Sequence, residues 1–441
     1  MNQYESWGRY FNVSQQIYRA TWQSEMDALV RELPAPFLPY GLGRSYGDSC
    51  LNDGGALLDM RPLNHFLAFD AENGILRCEA GVSLAEILQL IVPHGWFLSV
   101  TPGTKFVTVG GAIANDVHGK NHGHAGTFGM YVTRFELLRS DGTRLICSPT
   151  ENAEWYRATI GGLGLTGVIL WAEMKLKKIE SPFIDEEIIK FKNLDEFFEI
   201  ARESEEGYEH TVSWIDCFAH GDSLGKGVFM RGNNAAAPTE YRWQPPGGQR
   251  LTVPFTAPNF MLNNFTMRAF NVLYYEKNLR KVVRGLVHYE PFFYPLDAIG
   301  QWNRIYGKRG FMQYQCIVPY DDNYRAIRAI IHKMATSGLT PFLNVLKTFG
   351  DKKSPGMLSF PRKGVTLAID FPNQGQATLD LLTEIDRMVL DSGGIAGYPA
   401  KDSRMPAEFF REFFPAWEEF RQYVDPKISS GFWRRVTQHS K

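Results

Sequence analysis

The chain has 441 residues, room for about three domains of ordinary size at roughly 150 residues each, or for two large ones. Its 47 lysines and arginines offset 48 aspartates and glutamates, so the formal net charge is -1, which excludes a binder held to nucleic acid by a basic excess. Hydrophobic residues at 44% and charged residues at 22% exclude a disordered chain.

The start, MNQYESWGRYFNV, lacks a basic segment leading into an apolar one, so no secretory signal is expected. No apolar run reaches the ~18 residues that span a bilayer. Leu84 to Val100 comes nearest and is broken by Glu86, Gln89, Pro93, His94 and Gly95. The cysteines (Cys50, Cys78, Cys147, Cys217, Cys316) are odd in number and far apart, which fits neither a disulfide framework nor a zinc motif. A reducing cytoplasm is the expected compartment.

In chain order, strands are predicted at Ala56–Met60, Ile75–Glu79, Phe135–Arg139, Arg144–Cys147 and Val168–Leu176. Ser83 caps a predicted helix whose Leu84, Ile87, Leu88 and Ile91 share one face, with Glu86 at the capping-box position; Pro93 and Gly95 end it. This half reads as α+β with glycine-bearing loops. After Pro182 come a strand (Glu186–Phe191), a helix opening at Asp195 and a strand at Thr211–Phe218. The Pro-rich stretch 232–264 reads as a long flexible loop. A strand at Met312–Val318, a helix at Tyr324–Thr336, strands near Phe342–Leu346 and Val365–Asp370, and a helix at about Ala377–Ser392 follow. That alternation predicts a sheet with helices packed on one face.

Three glycine segments stand out: Gly41-Leu42-Gly43-Arg44-Ser45-Tyr46-Gly47, then Pro102-Gly103-Thr104 through Thr108, Gly110 and Gly111, then His118-Gly119-Lys120-Asn121-His122-Gly123. Backbone amides beside small side chains can cradle a pyrophosphate. Each segment alone is equally a tight turn; three within about 80 residues favour a ligand. Gly162 to Gly167 matches G-x-G-x-x-G, but a β-type run follows it, so it is not a Rossmann site. The His118 to His122 spacing suggests zinc only on a helix, which Gly119 and Gly123 disfavour, so no metal is expected. Gln313 and Gln315 flank Tyr314 on a strand and share a face, either a solvated one or a hydrogen-bonding wall. Trp214 is either a core residue or an apolar plane closing a pocket. Residues 251–275 carry many aromatics and precede Lys277, Arg280, Lys281 and Arg284. A helix with an apolar core face is the slightly favoured reading there, and a lid meeting a membrane or polyprenyl chain the other.

With these segments in hand, the sequence resembles vanillyl-alcohol oxidase type FAD-linked oxidases over nearly its whole length. The matching stretches are GLGRSYGD (Gly41–Asp48), PGTKFVTVGGAIANDVHGKNHGHAGTFG (Pro102–Gly129), GGLGLTGVI (Gly161–Ile169), YQCIVP (Tyr314–Pro319), FLNVLKTFG (Phe342–Gly350), AIDFP (Ala368–Pro372) and YPAKDSR (Tyr398–Arg404). The resemblance implies a two-lobed α+β fold. Its FAD-binding domain would comprise residues 1–180, completed by 396–441, and its substrate-binding domain residues 181–395. By the same analogy, FAD contacts come from Gly41, Leu42, Gly43, Arg44, Ser45, Tyr46, Gly103, Thr104, Thr108, Gly110, Gly111, Asn115, His118, Gly123, Ile169 and Tyr398. Many relatives attach FAD to a histidine where Arg44 stands, so non-covalent FAD is expected.

The implied reaction is oxidation of a secondary sugar hydroxyl, at the 2'-position of a polyprenyl-phosphate-linked pentose. A short-chain dehydrogenase partner would reduce the ketosugar, completing an epimerisation. Lys401, His118 and Tyr46 are the catalytic candidates; Lys120, Trp214, Gln313, Tyr314, Gln315, Lys347 and Lys401 are the substrate contacts. Lys401 would act as base or stay charged and hold an oxygen; without the resemblance it reads as a surface lysine paired with Asp402. Ala368 stands where close relatives can carry cysteine, so thiol capture is not expected there. An alditol or aldonolactone oxidase and a non-catalytic flavin-binding subunit are the alternatives. A peripheral contact with the inner membrane is an accompanying expectation.

Overall fold

Three short parallel strands open the chain: β1 (Gln16–Arg19), β2 (Phe37–Tyr40) and β3 (Ala56–Asp59), with β3 in the centre. The computed structural model describes residues 4–238, 251–339 and 341–437. The central strand is buried on both faces, which is why ALLD reads as an unbroken apolar run up to Asp59. An antiparallel sheet follows, built from β4 (Phe66–Asp70), β5 (Ile75–Glu79), β6 (Val132–Leu138), β7 (Arg144–Cys147) and β8 (Val168–Lys175), in the order β4-β5-β8-β6-β7. Helix α1 (Leu84–Ile91) starts as its sequence predicts. The Ser83 hydroxyl accepts from the Glu86 amide and the Glu86 carboxylate accepts from the Ser83 amide. Leu84, Ile87, Leu88 and Ile91 are buried, and each such side chain contributes about 1.5–3 kcal/mol.

The second sheet system has eight strands: β9 (Phe183–Phe191), β10 (His210–Ile215), β11 (Gly227–Ala235), β12 (Val282–His288), β13 (Phe311–Val318), β14 (Asn344–Phe349), β15 (Gly364–Pro372) and β16 (Ile395–Ala396). Their order is β12-β9-β11-β10-β14-β15-β13-β16 and every pairing is antiparallel. Helices α3 (Leu194–Ser204), α5 (Arg325–Thr336) and α6 (Gln376–Asp391) bury their apolar faces in one core with Tyr314, Cys316, Leu346 and Leu367. The register sets the other face. Gln313 lies opposite Asp370, Gln315 opposite Ala368, and Ala368 opposite Val345, two residues from Lys347. With a side-chain period of two, these six residues point the same way, away from the helices.

Differences from the sequence reading have local causes. The helix expected from Tyr324 begins at Arg325, because Tyr324 itself sits at φ +54. The stretch 232–264 is not loop throughout. Its first residues finish β11, Leu251–Thr252 pairs with Ile299–Gly300, and helix α4 (Asn264–Glu276) begins at its end; residues 239–250 lie outside the described residues. The apolar side of α4 is not a core face either. Of its side chains only Met267 and Asn271 are buried, while Phe265 is 82% and Leu273 71% exposed.

Residues after 396 return to the first strands. The Phe37 amide donates to Lys427 O, Phe37 and Ile428 form a parallel bridge, and Asp425 accepts from the Ser140 amide and pairs with Arg139. Helix α7 (Gly431–Thr437) packs Phe432, Trp433 and Val436 into the same core. Among the described residues, no helix is long and apolar enough to cross a membrane.

Candidate functional site

Between the glycine segments and the open face of the eight-stranded sheet lies a cavity of about 640 Å³. One wall is backbone. Gly43 adopts φ +62, where a side chain would be strained and its Cβ would sit 2.1 Å from the Tyr40 hydroxyl. Gly41 lies so close to Thr108 that a Cβ would reach 2.4 Å from its Oγ1. Thr108 Oγ1 in turn accepts from the Gly111 amide and caps the short helix α2 (Val109–Ala114). Gly41, Leu42, Gly43, Arg44, Ser45, Tyr46, Gly103, Thr104, Thr108, Gly110, Gly111, Asn115, His118, Ile169 and Tyr398 all line this cavity.

The opposite wall is polar sheet. Lys120, Trp214, Gln313, Gln315, Lys347, Ala368 and Lys401 reach it. Two expected residues do not. Gly123 lies on the helical turn His122–Ala125 and backs onto Gly350, whose Cβ would be 2.8 Å from its Cα. Tyr314 points through the sheet to the helix side, because it alternates with the two glutamines; its ring lies 5.7 Å from the Arg404 guanidinium.

Lys401 comes from a tight turn. The amides of Lys401 and Asp402 both donate to Tyr398 O, at 2.7 and 3.0 Å, and the Gly397 amide donates to Gln315 O. The ammonium stands 4.0 Å from the Tyr46 ring centroid. It is not paired with Asp402, whose carboxylate is engaged by Arg435 and by the amides of Arg404 and Met405. Burial lowers the Lys401 amine against the opposing charge of Asp370, and burial likewise raises Asp370. Asp370 accepts from the Tyr306 hydroxyl at 3.0 Å and from the Gln313 amide. Asp370 and Tyr306 were missed by the sequence reading. For Asp370 the signal existed: it follows Ala368 by two on a predicted strand and so shares its face. Tyr306 carries no such mark.

Burial also lowers Lys120 to about 7 and Lys347 to about 8. Lys120 donates to Phe292 O and Lys347 to Gly119 O at 3.4 Å. His118 Nε2 lies 3.1 Å from Gln315 Nε2 and is the acceptor, which leaves the proton on Nδ1, buried without a partner among the described residues. Burial pushes the His118 imidazole well down, so it is neutral. His118 precedes the helical turn that His122 opens, and His122 stacks on Phe349 with ring centroids 4.2 Å apart. Among the described residues, no cluster of three His, Cys, Asp or Glu is placed to hold a metal ion. Arg44 donates to Leu42 O at 2.6 Å and lies over the Trp7 ring.

This geometry suits an extended, partly anionic ligand laid along bare amides with a polar substrate beyond it. The comparisons agree. A family model described as an FAD binding domain matches residues 16–148. Decaprenylphosphoryl-beta-D-ribose oxidase of Mycolicibacterium smegmatis is 38% identical over 400 residues, 88% of this chain and 85% of that protein. An uncharacterized Streptomyces coelicolor protein is 29% identical over 78% of this chain and 96% of its own. Mouse L-gulonolactone oxidase is 31% identical over 38% of this chain and 39% of its own. The glycine wall fits FAD, and the protein is an FAD-dependent oxidoreductase with an α+β fold. The chain belongs to the vanillyl-alcohol oxidase type FAD-linked oxidases.

Proposed function

We propose that this enzyme oxidises the 2'-hydroxyl of a ribose-like pentose carried on a polyprenyl phosphate, the first half of an epimerisation. The observation that carries this reading is the pairing of two wall chemistries in one cavity. Bare glycine backbone faces three amines, each lowered by burial, and two glutamines.

Gly41 to Tyr46, Gly103, Thr104, Thr108, Gly110, Gly111, Asn115, His118, Ile169 and Tyr398 would hold FAD non-covalently, and the bound flavin would supply the acceptor for the carbinol hydride. Lys401, as the neutral amine, takes the hydroxyl proton; Tyr46 lies beneath it and Asp370 beside it. Gln313 and Gln315 orient the sugar, and neutral His118 is held by Gln315. Lys120 and Lys347 meet the phosphate, whose charge favours their protonated forms. Trp214 closes the apolar side, 4.8 Å from Tyr274 of α4.

The exposed side of α4 offers a path for the lipid. Phe270 and Tyr274 line the cavity, while Phe265 and Leu273 on the same helix face outward. A peripheral membrane contact there, and a short-chain dehydrogenase that reduces the ketosugar, complete the proposed setting. The domain division is residues 1–180 with 396–441 for FAD and 181–395 for substrate.

The test is anaerobic mixing of the loaded enzyme with lipid-linked and free sugars, read by flavin absorbance. Bleaching by polyprenylphosphoryl ribose, with none by free alditols or aldonolactones, is expected. Bleaching by the free polyols instead identifies a soluble polyol oxidase, and no bleaching by any sugar identifies a binding subunit.

A further inference from the structure

The Lys401 turn is tied to the glycine wall by a residue near the end of the described chain. Arg435 of α7 donates to both oxygens of Asp48, from Nη2 at 2.6 Å and from Nε at 3.1 Å. The same Nη2 donates to Asp402 at 2.9 Å, and Nη1 donates to Met405 O. Both carboxylates are buried, so one guanidinium fork holds two chain segments that are 354 residues apart, from Asp48 to Asp402. The segments touch closely there. The Tyr46 amide donates to Ala400 O at 2.8 Å, and a Cβ on Gly47 would fall 1.7 Å from Asp402 O. Asp48 and Asp402 each lie within two residues of a partner in the Tyr46–Lys401 contact.

We infer that Arg435, through Asp48 and Asp402, is a positioning residue for Lys401 and fixes where its amine stands over Tyr46. This rests on the reading of Lys401 as the base. The fork touches neither Lys401 nor the cavity; it acts by denying the turn alternative placements. The groups facing the amine are Asp370 on β15, Lys347 on β14, His118 and the Tyr46 ring. If the turn moves, the amine leaves that enclosure and gains water.

The test uses the full FAD-loaded chain without substrate. Lysines are acetylated competitively across pH and Lys401 is read by mass spectrometry. In the parent protein the Lys401 midpoint lies below that of an ordinary lysine. In Arg435→Met it moves up toward the ordinary value. With substrate, flavin reduction slows by about a hundredfold, the scale of a small misplacement, with KM little changed. Arg435→Lys keeps the charge and loses the fork, and gives an intermediate midpoint; it decides the matter if Arg435→Met does not fold. A Lys401 midpoint unchanged in the variants that fold overturns the inference. Flavin reduction that survives in Lys401→Ala overturns the base assignment instead, and the acetylation midpoints still report on the clamp separately.

Discussion

Lys401 is the residue whose surroundings ask for a chemical role, since a buried amine over an aromatic ring and beside a raised carboxyl is an expensive arrangement to keep for packing alone. Lys401→Ala is expected to slow anaerobic flavin reduction by roughly 10²–10⁴, the usual span for a general base, with FAD content unchanged; a rate within a few-fold of the parent would remove Lys401 from the chemistry. The pH dependence follows from the direction of the shift. The base must be neutral and burial favours the neutral form, so the rate of flavin reduction rises with pH and levels off below the ordinary lysine range. Substrate affinity runs the other way. Lys120 and Lys347 lose their protons near 7 and 8, so binding of the phosphate-bearing substrate weakens as pH climbs through that window. Measuring KM and the reduction rate across pH in the same samples separates the two. Arg44 bears on how the flavin is attached. An arginine there, bonded to Leu42 O, offers no imidazole to the flavin, and acid precipitation should leave the polypeptide colourless with FAD in the supernatant.

Helix α4 carries the prediction that belongs to elements. Its outward Phe265, Val272 and Leu273 have no protein to cover them among the described residues, and the nearby Phe255, Phe260 and Leu279 are also exposed. Phe265→Ser with Leu273→Ser should lower co-sedimentation with anionic vesicles by about tenfold or more, from the lost apolar insertion, while leaving turnover of detergent-dispersed substrate within a few-fold. Equal vesicle binding by parent and variant would remove the lipid role from this helix. The same helix marks where reading the sequence failed. Periodicity reports that apolar residues share a face, not what lies against that face, so an outward-facing helix and a core helix look alike. Where a local rule decides, legibility was high: Ser83 with Glu86 set the start of α1, and the β-run after Gly167 excluded a Rossmann turn. Tyr314 shows the other limit. Alternation placed Gln313 and Gln315 together, yet the same alternation turns Tyr314 to the helices, and only the resemblance had put it at the substrate. The Arg435 clamp and Tyr306 depend on contacts between remote segments, which no spacing encodes.

At the scale of the whole molecule, the cavity is closed by segments from both ends of the chain. Gly41 to Tyr46 form one wall with Tyr398, Lys401 reaches the other, and the chain between them supplies the polar sheet. The C-terminal residues are also built into the first strands, through Phe37 with Lys427 and Ile428, Arg139 with Asp425, and Arg435 with Asp48. FAD bound between these parts would be expected to stabilise them as one cooperative unit. Free FAD at a hundred times its Kd adds about 2.7 kcal/mol to the folded state, because ligand that binds only that state shifts unfolding by mass action. If FAD is dissociable, stripped protein should melt lower and recover fully on reloading. Limited proteolysis distinguishes a shared FAD unit from a self-sufficient N-terminal one. FAD should slow cleavage in the N-terminal glycine segments and in residues 396–437 to the same degree, since opening either one opens the cofactor wall. Protection confined to the matched stretch 16–148, with the C-terminal segment cleaved as fast as in stripped protein, would show that the cofactor domain is complete without its distant end.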